Sequence, residues 1–552
     1  MVFGFRSNRA LNLQSISATT YSTIHRSISC STSKGAPTMS FEINEDRSPN
    51  TKPLHFLLVP LLAQGHMIPM VDLARLLAAR GNLVTFATTP INLARIQPIV
   101  ERAAAAASAA STLQIRFIEL RFCVADAGLP DGCENIDLLP SMDLLFPFLK
   151  SLHLLRDPLE AHLQAPDPFQ WPRPACLISD NIQNWTIDFA RALDIPRLTF
   201  QGPSCFYLIC DLLINRHVVE LEAAMAAASG GPIILPGLAQ PIRISKHELM
   251  LTLRSDPNWF KLIETMNEME ETSEGIIINS FVELESLYIE KYHEEIGKPI
   301  WPVGPLSLYN EEDDAKEVRG RVSSIDNKFL LQWLDGKEPG SVVLVSFGSI
   351  AHNTMEQIVE IGHGLEASAW PFVWVVKEAA EGALVSGLGE WMTAFEKRVE
   401  GKGIVIKGWA PQTILLNHIA VGGFVTHCGW NSTLEAIAAG VVMATWPHFG
   451  DQFFNERLVV DVLKIGVAVG VEKPTMFGVE NDNEAAVVKV RRGEVEKVVE
   501  MLMEGGDEGK ERRERARELK KKARMAMEKG GSSWKGLQDV INYVLESQKN
   551  KN

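Results

Sequence analysis

Residues 409–452 read WAPQTILLNHIAVGGFVTHCGWNSTLEAIAAGVVMATWPHFGDQ, and this stretch carries most of the fold prediction. Inside it, Gly423 to Thr426 is typical of a short buried strand, and His427 to Gly429 of a turn. From Trp430 onward the residues favour a helix. A strand that runs through a tight turn into a helix is the building unit of parallel α/β sheets.

The first residues of this predicted helix indicate an anion site. Asn431 and Ser432 are residue types that cap helix N-termini. Because a helix N-terminus offers unpaired N–H groups and a partial positive charge, it suits a diphosphate. His427 adds a side-chain donor in the turn that ends at Gly429.

The same pattern recurs on both sides of the quoted stretch. Near the start, residues 54–60 and 83–87 are predicted strands that flank a helix ending at Gly81, which together form a βαβ unit. A polar and charged stretch at 309–328 is the best candidate for a linker, and the strands restart after it. Further predicted strands cover residues 176–180, 275–280, 341–347, 372–376 and 403–407.

We therefore predict an α/β fold of two tandem domains, each with a mainly parallel sheet. Ligands of such sheets bind beyond the carboxyl ends of the strands, so a cleft between two of them suits an enzyme with two substrates. The predicted organisation is a disordered or targeting extension at 1–50, a first domain at 51–308, a linker at 309–328, a second domain at 329–530 and a last helix within 531–552.

Composition excludes several functional classes. The chain has 552 residues and a formal net charge of -14, which argues against a general nucleic-acid binder with a basic stripe. Its 7 cysteines are scattered and form no CxxC pair, so we expect a reducing compartment and neither a disulfide framework nor a metal site. No apolar run approaches the ~20 residues that cross a membrane.

The extension at 1–50 has two interpretations. Its first forty residues contain four basic residues and many Ser and Thr but no Asp or Glu, which resembles an organelle transit peptide. That interpretation predicts a plastid protein. The alternative is a disordered tail or an upstream start codon, with Met39 as the second possible start, and it predicts a cytoplasmic protein.

The forty-four residues at 409–452 are similar to the signature box of plant family-1 UDP-glycosyltransferases. The resemblance extends over about 54–546 and includes Val303 to Pro305 and Gly530 to Ser533. It implies a GT-B fold, in which two Rossmann-like domains face each other and the C-terminal helix crosses back to the first. It also implies an inverting transfer of sugar from a UDP-sugar to a hydroxyl of a small lipophilic acceptor, giving a β-glycoside.

The resemblance assigns roles within the box. Gln at the position of Gln452 is associated with glucose, so UDP-glucose is the expected co-substrate, with no other cofactor and no metal. Ser349 matches a position near the diphosphate, and Val442 departs from the usual Pro at a predicted strand start. The implied contacts are Trp409 and Ala410 with uracil, Gln412 and Glu435 with ribose, and Trp430, Asp451 and Gln452 with the sugar.

A catalytic pair is expected in the first domain. His66 lies in a run, Leu61 to Pro69, that resembles the family motif whose histidine is the general base. A hydroxyl that attacks the anomeric carbon must lose its proton, and histidine has a suitable pKa for accepting it. Asp180, at the end of a predicted strand, matches the partner that orients this base. The helix N-terminus near His66 is expected to keep the imidazole neutral.

Two other classes rank lower. A dinucleotide-dependent oxidoreductase would need a Gly-x-Gly-x-x-Gly turn, and the first turn here reads Ala63-Gln-Gly65-His. A non-catalytic UDP-sugar sensor would be favoured by loss of His66 or Asp180, but both are present.

The acceptor cannot be identified from the sequence, although flavonoids and terpenoids are a reasonable expectation. Its pocket is expected near 120–155, 200–215 and 245–260. A monomer with no nucleic-acid partner and no membrane span is expected. Six side chains could form an apolar acceptor wall or equally belong to the core: Phe122, Leu144, Phe146, Phe148, Phe206 and Trp259.

Overall fold

The structure is a computed structural model that describes residues 52–106, 113–167, 170–229, 231–252, 257–309, 323–351, 353–377, 388–474 and 488–549. The predicted extension at 1–50 and residues 310–322 of the predicted linker lie outside this part of the chain.

The first half of the chain forms a seven-stranded parallel sheet in the order β3-β2-β1-β4-β5-β8-β9. Its central strands are short runs of fully buried residues, as expected for a parallel sheet covered by helices on both faces. A small antiparallel hairpin, β6–β7, lies outside this sheet. The strands are β1 His55–Val59, β2 Leu83–Thr88, β3 Ile115–Glu119, β4 Cys176–Asp180, β5 Arg197–Gln201, β6 Ile233–Leu235, β7 Ile242–Ile244, β8 Ile276–Ile278 and β9 Ile300–Pro302.

Helices connect these strands. Short 3₁₀ segments follow β3 and β9. The helices are α1 Gln64–Ala79, α2 Pro90–Ala106, α3 Leu145–Ser151, α4 Arg156–Gln164, α5 Thr186–Ala192, α6 Cys205–Arg216, α7 Val218–Ala227, α8 Lys246–Thr252, α9 Pro257–Glu271 and α10 Val282–Ile296.

The second half repeats the architecture with a six-stranded parallel sheet in the order β12-β11-β10-β13-β14-β15. The strands are β10 Val342–Ser346, β11 Phe372–Val376, β12 Gly403–Lys407, β13 Val421–Thr426, β14 Val442–Thr445 and β15 Gly466–Ala468. The helices are α11 Asn327–Asp335, α12 Met355–Ala367, α13 Leu388–Arg398, α14 Gln412–Asn417, α15 Trp430–Ala439, α16 Gln452–Arg457, α17 Arg492–Met503, α18 Asp507–Met527 and α19 Ser532–Lys549.

The predicted fold class is confirmed, since both sheets are parallel and doubly wound. Val442 is the first residue of β14, so its prediction as a strand start is also confirmed. In the first sheet the strand order reverses between β1 and β4, and in the second between β10 and β13. Such reversal points open a crevice at the carboxyl ends of the strands, where ligands bind.

The last helix, α19, packs on the first sheet. Its apolar residues Leu537, Val540 and Val544 belong to the same core cluster as β1 and β4. Gln548 Nε2 donates to the carbonyl of Ala175 at 3.1 Å. A Cβ on Gly536 would lie 2.2 Å from the carbonyl oxygen of Pro302, so only glycine permits this close approach. Within the described residues, no helix combines the length and apolarity needed to cross a membrane.

Candidate active site

His66 and Asp180 meet at the reversal point of the first sheet. His66 is the third residue of α1, which follows β1, and Asp180 is the last residue of β4. Because β1 and β4 are paired neighbours, their carboxyl ends adjoin. His66 Nδ1 and Asp180 Oδ2 are 2.6 Å apart. The two residues of the predicted catalytic pair therefore contact each other directly.

The environment of this pair favours a proton on the imidazole. Asp180 is fully buried, whereas 27% of the His66 side chain is exposed. Burial lowers the pKa of His66, but the charge and hydrogen bond of Asp180 and the charge of Asp451 raise it, and the net direction is upward. The expectation of a neutral imidazole at this helix N-terminus is contradicted in direction, because the Asp180 and Asp451 carboxylates raise the pKa of His66. With Nδ1 bound to Asp180, Nε2 is the nitrogen available to accept a proton.

Gly202, which the sequence analysis missed, fixes the imidazole from the other side. It follows β5, and a Cβ at this position would lie 2.9 Å from His66 Cε1 and 3.1 Å from Nδ1. Both distances are shorter than ordinary van der Waals contact, so only glycine leaves room for the ring. The only local signal in the sequence is a Gly-Pro pair after a strand.

The second sheet places the predicted anion site at its own reversal point. His427 follows β13, and Gly348 and Ser349 follow β10, which is paired with β13. The His427 ring lies between two glycines: a Cβ on Gly348 would be 2.5 Å from Nε2, and one on Gly429 would be 2.4 Å away. Ser349 is half-buried beside this group.

His427 is held as a neutral imidazole. Burial and the nearby His448 lower its pKa to about 3. Its Nδ1 is buried and has no hydrogen-bond partner within the described part of the chain. A neutral imidazole can donate one hydrogen bond and accept another, so it can bind an anion without forming an ion pair.

The N-terminus of α15 differs from the prediction. The N-cap residue is Gly429, and no side chain caps the helix. The predicted capping role of Asn431 and Ser432 is therefore wrong, since both lie inside the first turn. No side chain at the start of α15 therefore accepts a hydrogen bond from the first N–H groups of the helix.

Gln412 and Glu435, the predicted ribose ligands, lie together. Gln412 Nε2 donates to Glu435 Oε2 at 2.9 Å and to Ser432 Oγ at 3.0 Å. Trp409 is half-buried before α14, and its backbone exchanges two hydrogen bonds of 2.9 Å with Ser324. Ala410 next to it is buried. The four predicted nucleoside residues thus form one end of the site.

Trp430 and Asn431 contact the first half of the chain. Trp430 Nε1 donates to the carbonyl of Asn279 at 2.8 Å. Asn431 Nδ2 donates to the carbonyl of Gly65 at 2.5 Å, and its Oδ1 accepts from Asn279 Nδ2 at 3.4 Å. These contacts join α15 to the residue before His66. The sugar and diphosphate roles of Trp430 and Asn431 stay predictions.

Asp451 and Gln452, the last residues of the quoted stretch, lie at the start of α16. Burial raises the pKa of Asp451 to about 6, although the hydrogen bond from Asn455 and the charge of His66 lower it. Gln452 Oε1 accepts from the N–H groups of His448 at 2.8 Å and of Phe449 at 3.2 Å. Its carbonyl is therefore engaged by the backbone, which orients its NH₂ group in the opposite direction.

The predicted acceptor wall divides into two groups. Phe122 and Phe148 pack edge-to-face in the core, and Phe206 is fully buried against Tyr288. Leu144 packs partly buried on the same core as Phe148. Phe146 and Trp259 differ, since both are half-buried and meet edge-to-face with their ring centroids 5.0 Å apart. The core interpretation therefore holds for three of the phenylalanines, whereas Phe146 and Trp259 are only partly buried.

Two facing Rossmann-like halves, with a His–Asp pair at one reversal point and an uncapped helix N-terminus at the other, define a glycosyltransferase of the GT-B class. No group of three or more His, Cys, Asp or Glu that could hold a metal ion occurs among the residues that the structure describes.

Comparison with known proteins agrees with this class. A family model described as UDP-glucoronosyl and UDP-glucosyl transferase matches residues 331–504. UDP-glycosyltransferase 73E1 of Stevia rebaudiana is 41% identical over 500 residues, which cover 90% of this chain and 97% of that protein. The chain therefore belongs to the plant family-1 UDP-glycosyltransferases, and it transfers sugar from a UDP-sugar to small acceptors.

Solved structures give the same result. UGT73P12 of Glycyrrhiza uralensis, complexed with glycyrrhetinic acid 3-O-monoglucuronide, is similar at a TM-score of 0.79 and 35% identity, over 91% of this chain and 97% of that one. UGT89C1 of Arabidopsis thaliana, complexed with UDP-L-rhamnose, is similar at a TM-score of 0.67 and 28% identity, over 90% of this chain and 100% of that one.

Proposed function

We propose that this enzyme transfers glucose from UDP-glucose to a hydroxyl of a small lipophilic acceptor, with inversion, to give a β-glucoside. The observation that carries the proposal is the buried Asp180 carboxylate bound to His66 Nδ1 at 2.6 Å, at the sheet edge that adjoins α15. This arrangement leaves Nε2 of the imidazole to act as a general base.

In the proposed reaction His66 Nε2 takes the proton of the acceptor hydroxyl as its oxygen attacks the anomeric carbon. A carbon–oxygen bond forms on one face of the sugar, and the bond to the diphosphate oxygen breaks on the other. Asp180 stabilises the imidazolium that results. The negative charge that develops on UDP lies at the N-terminus of α15, where backbone N–H groups, His427 and Ser349 can stabilise it.

The proposed donor contacts follow the arrangement of the second half. Trp409 and Ala410 bind the uracil in this proposal. Gln412 and Glu435 bind the ribose diol, because the Glu435 carboxylate can accept two hydrogen bonds. Asp451 and the NH₂ group of Gln452 are proposed to bind the glucose hydroxyls, together with Trp430. In this proposal neither a metal nor another cofactor takes part, so activity is expected to persist in excess EDTA.

For the acceptor we propose a flavonoid or terpenoid alcohol. The support is the half-buried aromatic pair Phe146 and Trp259, whose apolar rings suit contact with a ring system. UGT73P12, one of the similar structures, was solved with a glycyrrhetinic acid glucuronide. Replacing Phe146 by Ala is expected to raise the KM for the acceptor and to leave the KM for UDP-glucose unchanged.

We also propose that the enzyme acts as a monomer in the cytoplasm. Size-exclusion chromatography with light scattering tests the oligomeric state. Fluorescent fusions that begin at Met1 or at Met39 test the compartment, and import of only the longer form into plastids would support the alternative.

The central experiment measures UDP release from UDP-glucose with a panel of flavonoid and terpenoid alcohols, for the wild type and for His66→Ala. We expect acceptor-dependent release that falls about 10²–10⁴-fold in the variant, the range that a general base contributes. UDP-rhamnose and UDP-glucuronic acid serve as donor controls. Unchanged release in the variant would exclude His66 as the base. Tight UDP-glucose binding without release for any acceptor would favour a sensor.

A further inference from the structure

Helix α16 connects the donor side of the site to the first half of the chain. Its start carries Asp451 and Gln452, which the proposed function places on the sugar. Its later residues contact the first half. Phe454 meets Tyr207 edge-to-face at 5.6 Å, and Arg457 binds both carboxylate oxygens of Glu248 at 2.9 and 3.3 Å.

Asn455 is the fully buried residue at the centre of these contacts. Its Oδ1 accepts a hydrogen bond from Ser204 Oγ at 2.8 Å, and Ser204 is also fully buried. Its Nδ2 donates to Asp451 Oδ2 at 2.8 Å and to the carbonyl of Cys428 at 2.9 Å. One amide therefore joins the entry of α6, a sugar-binding carboxylate and the turn before α15.

The contact with Cys428 sets the direction of a backbone donor. Cys428 has a φ of +65°, in the left-handed region that costs a non-glycine residue free energy. In a trans peptide the C=O and N–H point in opposite directions. Since the Cys428 carbonyl points to Asn455, the N–H of Gly429 points away from it, and Gly429 is the N-cap of α15. Asn455 thus orients a donor of the proposed diphosphate site.

The contact with Ser204 connects Asn455 to the segment that packs against His66. Ser204 lies two residues after Gly202, the glycine against which the His66 ring packs. Ser204 Oγ also accepts from the N–H of Tyr207 as the N-cap of α6. The Ser204 hydroxyl therefore donates one hydrogen bond to Asn455 and accepts another from the backbone of α6. The segment that fixes the base and the helix that carries Asp451 are one hydrogen bond apart.

We propose that Asn455 is a positioning residue that couples the base side of the cleft to the donor-sugar side. It touches neither substrate in this proposal and acts through Asp451, Cys428 and Ser204. The inference rests on the proposed function, because it takes His66 as the base and Asp451 as a sugar ligand. Its consequence is that loss of the network slows transfer by a larger factor than it weakens the binding of the nucleotide.

The test compares Asn455→Ala, Ser204→Gly, Ser204→Ala and the double variant Asn455→Ala/Ser204→Gly in the full-length enzyme. Since a misplacement near 1 Å can slow catalysis about 10²-fold, we expect kcat to fall by about that factor in Asn455→Ala and about tenfold in Ser204→Gly. The double variant should match Asn455→Ala alone, because the two residues act through one contact. UDP affinity, measured by calorimetry, should stay within about twofold in the Ser204 variants, since the contact of Asn455 with Cys428 remains. In Asn455→Ala it should fall by less than kcat does, since Gln412 and Glu435 are untouched.

The two substitutions of Ser204 separate coupling from helix capping. Glycine is tolerated at an N-cap almost as well as serine, whereas alanine destabilises the helix start. Equal losses of kcat in Ser204→Gly and Ser204→Ala, with a lower melting temperature in Ser204→Ala than in Ser204→Gly, would support the coupling. If Asn455→Ala does not fold, the Ser204 variants still decide the matter.

Three outcomes would overturn the inference: additive losses in the double variant, an unchanged kcat in Ser204→Gly, or a loss of UDP affinity as large as the loss of kcat. Each would leave the proposed function standing if the wild type is active and His66→Ala is not. A wild type without any acceptor-dependent release would overturn both.

Discussion

Replacing Gly202 by alanine is expected to disable the base while leaving donor binding intact. The added Cβ would lie 2.9 Å from His66 Cε1, and ordinary contact begins at 3.4 Å, so the ring must move by about half an ångström. Because Nδ1 is held by Asp180 at 2.6 Å, this movement shifts the ring relative to its partner. Gly202 lies outside the left-handed region, so alanine adds no backbone strain.

The magnitude follows from the size of the displacement. A misplacement near 1 Å costs about 10²-fold, so half of it should lower kcat about tenfold and at most about a hundredfold. The assay is the steady-state release of UDP at saturating acceptor, with KM for UDP-glucose determined in parallel. That KM should not change, because the proposed donor contacts lie in the second half of the chain.

Gly493→Ala is the matched control. Gly493 lies in α17, and a Cβ there would meet no atom within 4 Å. An alanine in a helix should keep kcat unchanged and leave the melting temperature equal or slightly higher. If Gly202→Ala retains kcat within twofold, or loses no more than Gly493→Ala, Gly202 does not hold the imidazole in place.

Three further predictions concern charged groups. Asp180→Asn should lower kcat about 10²–10⁴-fold. It should also move the acid limb of the pH–rate profile to lower pH, because the charge of Asp180 raises the pKa of His66 and the base must be neutral to act. For Glu456, burial raises the pKa from 4.5 to about 7, so the wild type should lose stability as pH rises through this range. Glu456→Gln should remove this pH-dependent loss of unfolding free energy, which amounts to at most about 3 kcal/mol between pH 5 and pH 8. Urea unfolding at both pH values measures it, and an identical pH dependence in wild type and variant would contradict the prediction. Glu248→Gln removes the carboxylate that binds Arg457 and should lower the free energy of unfolding by about 1–3 kcal/mol in the same assay. An unchanged free energy of unfolding would show that this ion pair does not stabilise the fold.

Much of the fold could be predicted because its signals are local. Short buried strands followed by glycine turns and helices identified both sheets, and pairing of adjacent strands then brought His66 to Asp180. Gln412 and Glu435 also lie together as their roles required. Periodicity and turn chemistry fix such features within about thirty residues.

The residues that join the halves could not be predicted. Ser204 and Asn455 are 251 positions apart, and neither carries a charge or a motif that indicates its partner. Their contact depends on the angle at which the two halves dock, which no local pattern encodes. The same holds for Asn279, whose carbonyl accepts a hydrogen bond from Trp430 and whose side-chain amide donates one to Asn431. The direction of the His66 pKa shift was also missed, because it depends on carboxylates brought near by the fold.

The return of α19 to the first sheet makes the two halves inseparable as genetic modules. A fragment that ends before residue 323 would lack the helix that covers β1, β4 and β9, and so would expose the apolar face that Leu537, Val540 and Val544 occupy. An exchange of acceptor-binding halves between relatives therefore needs two junctions, one near 309–328 and a second close to Gly530. A chimera joined only at the first would pair its new sheet with a foreign helix, which would have to reproduce the close contact between Gly536 and Pro302.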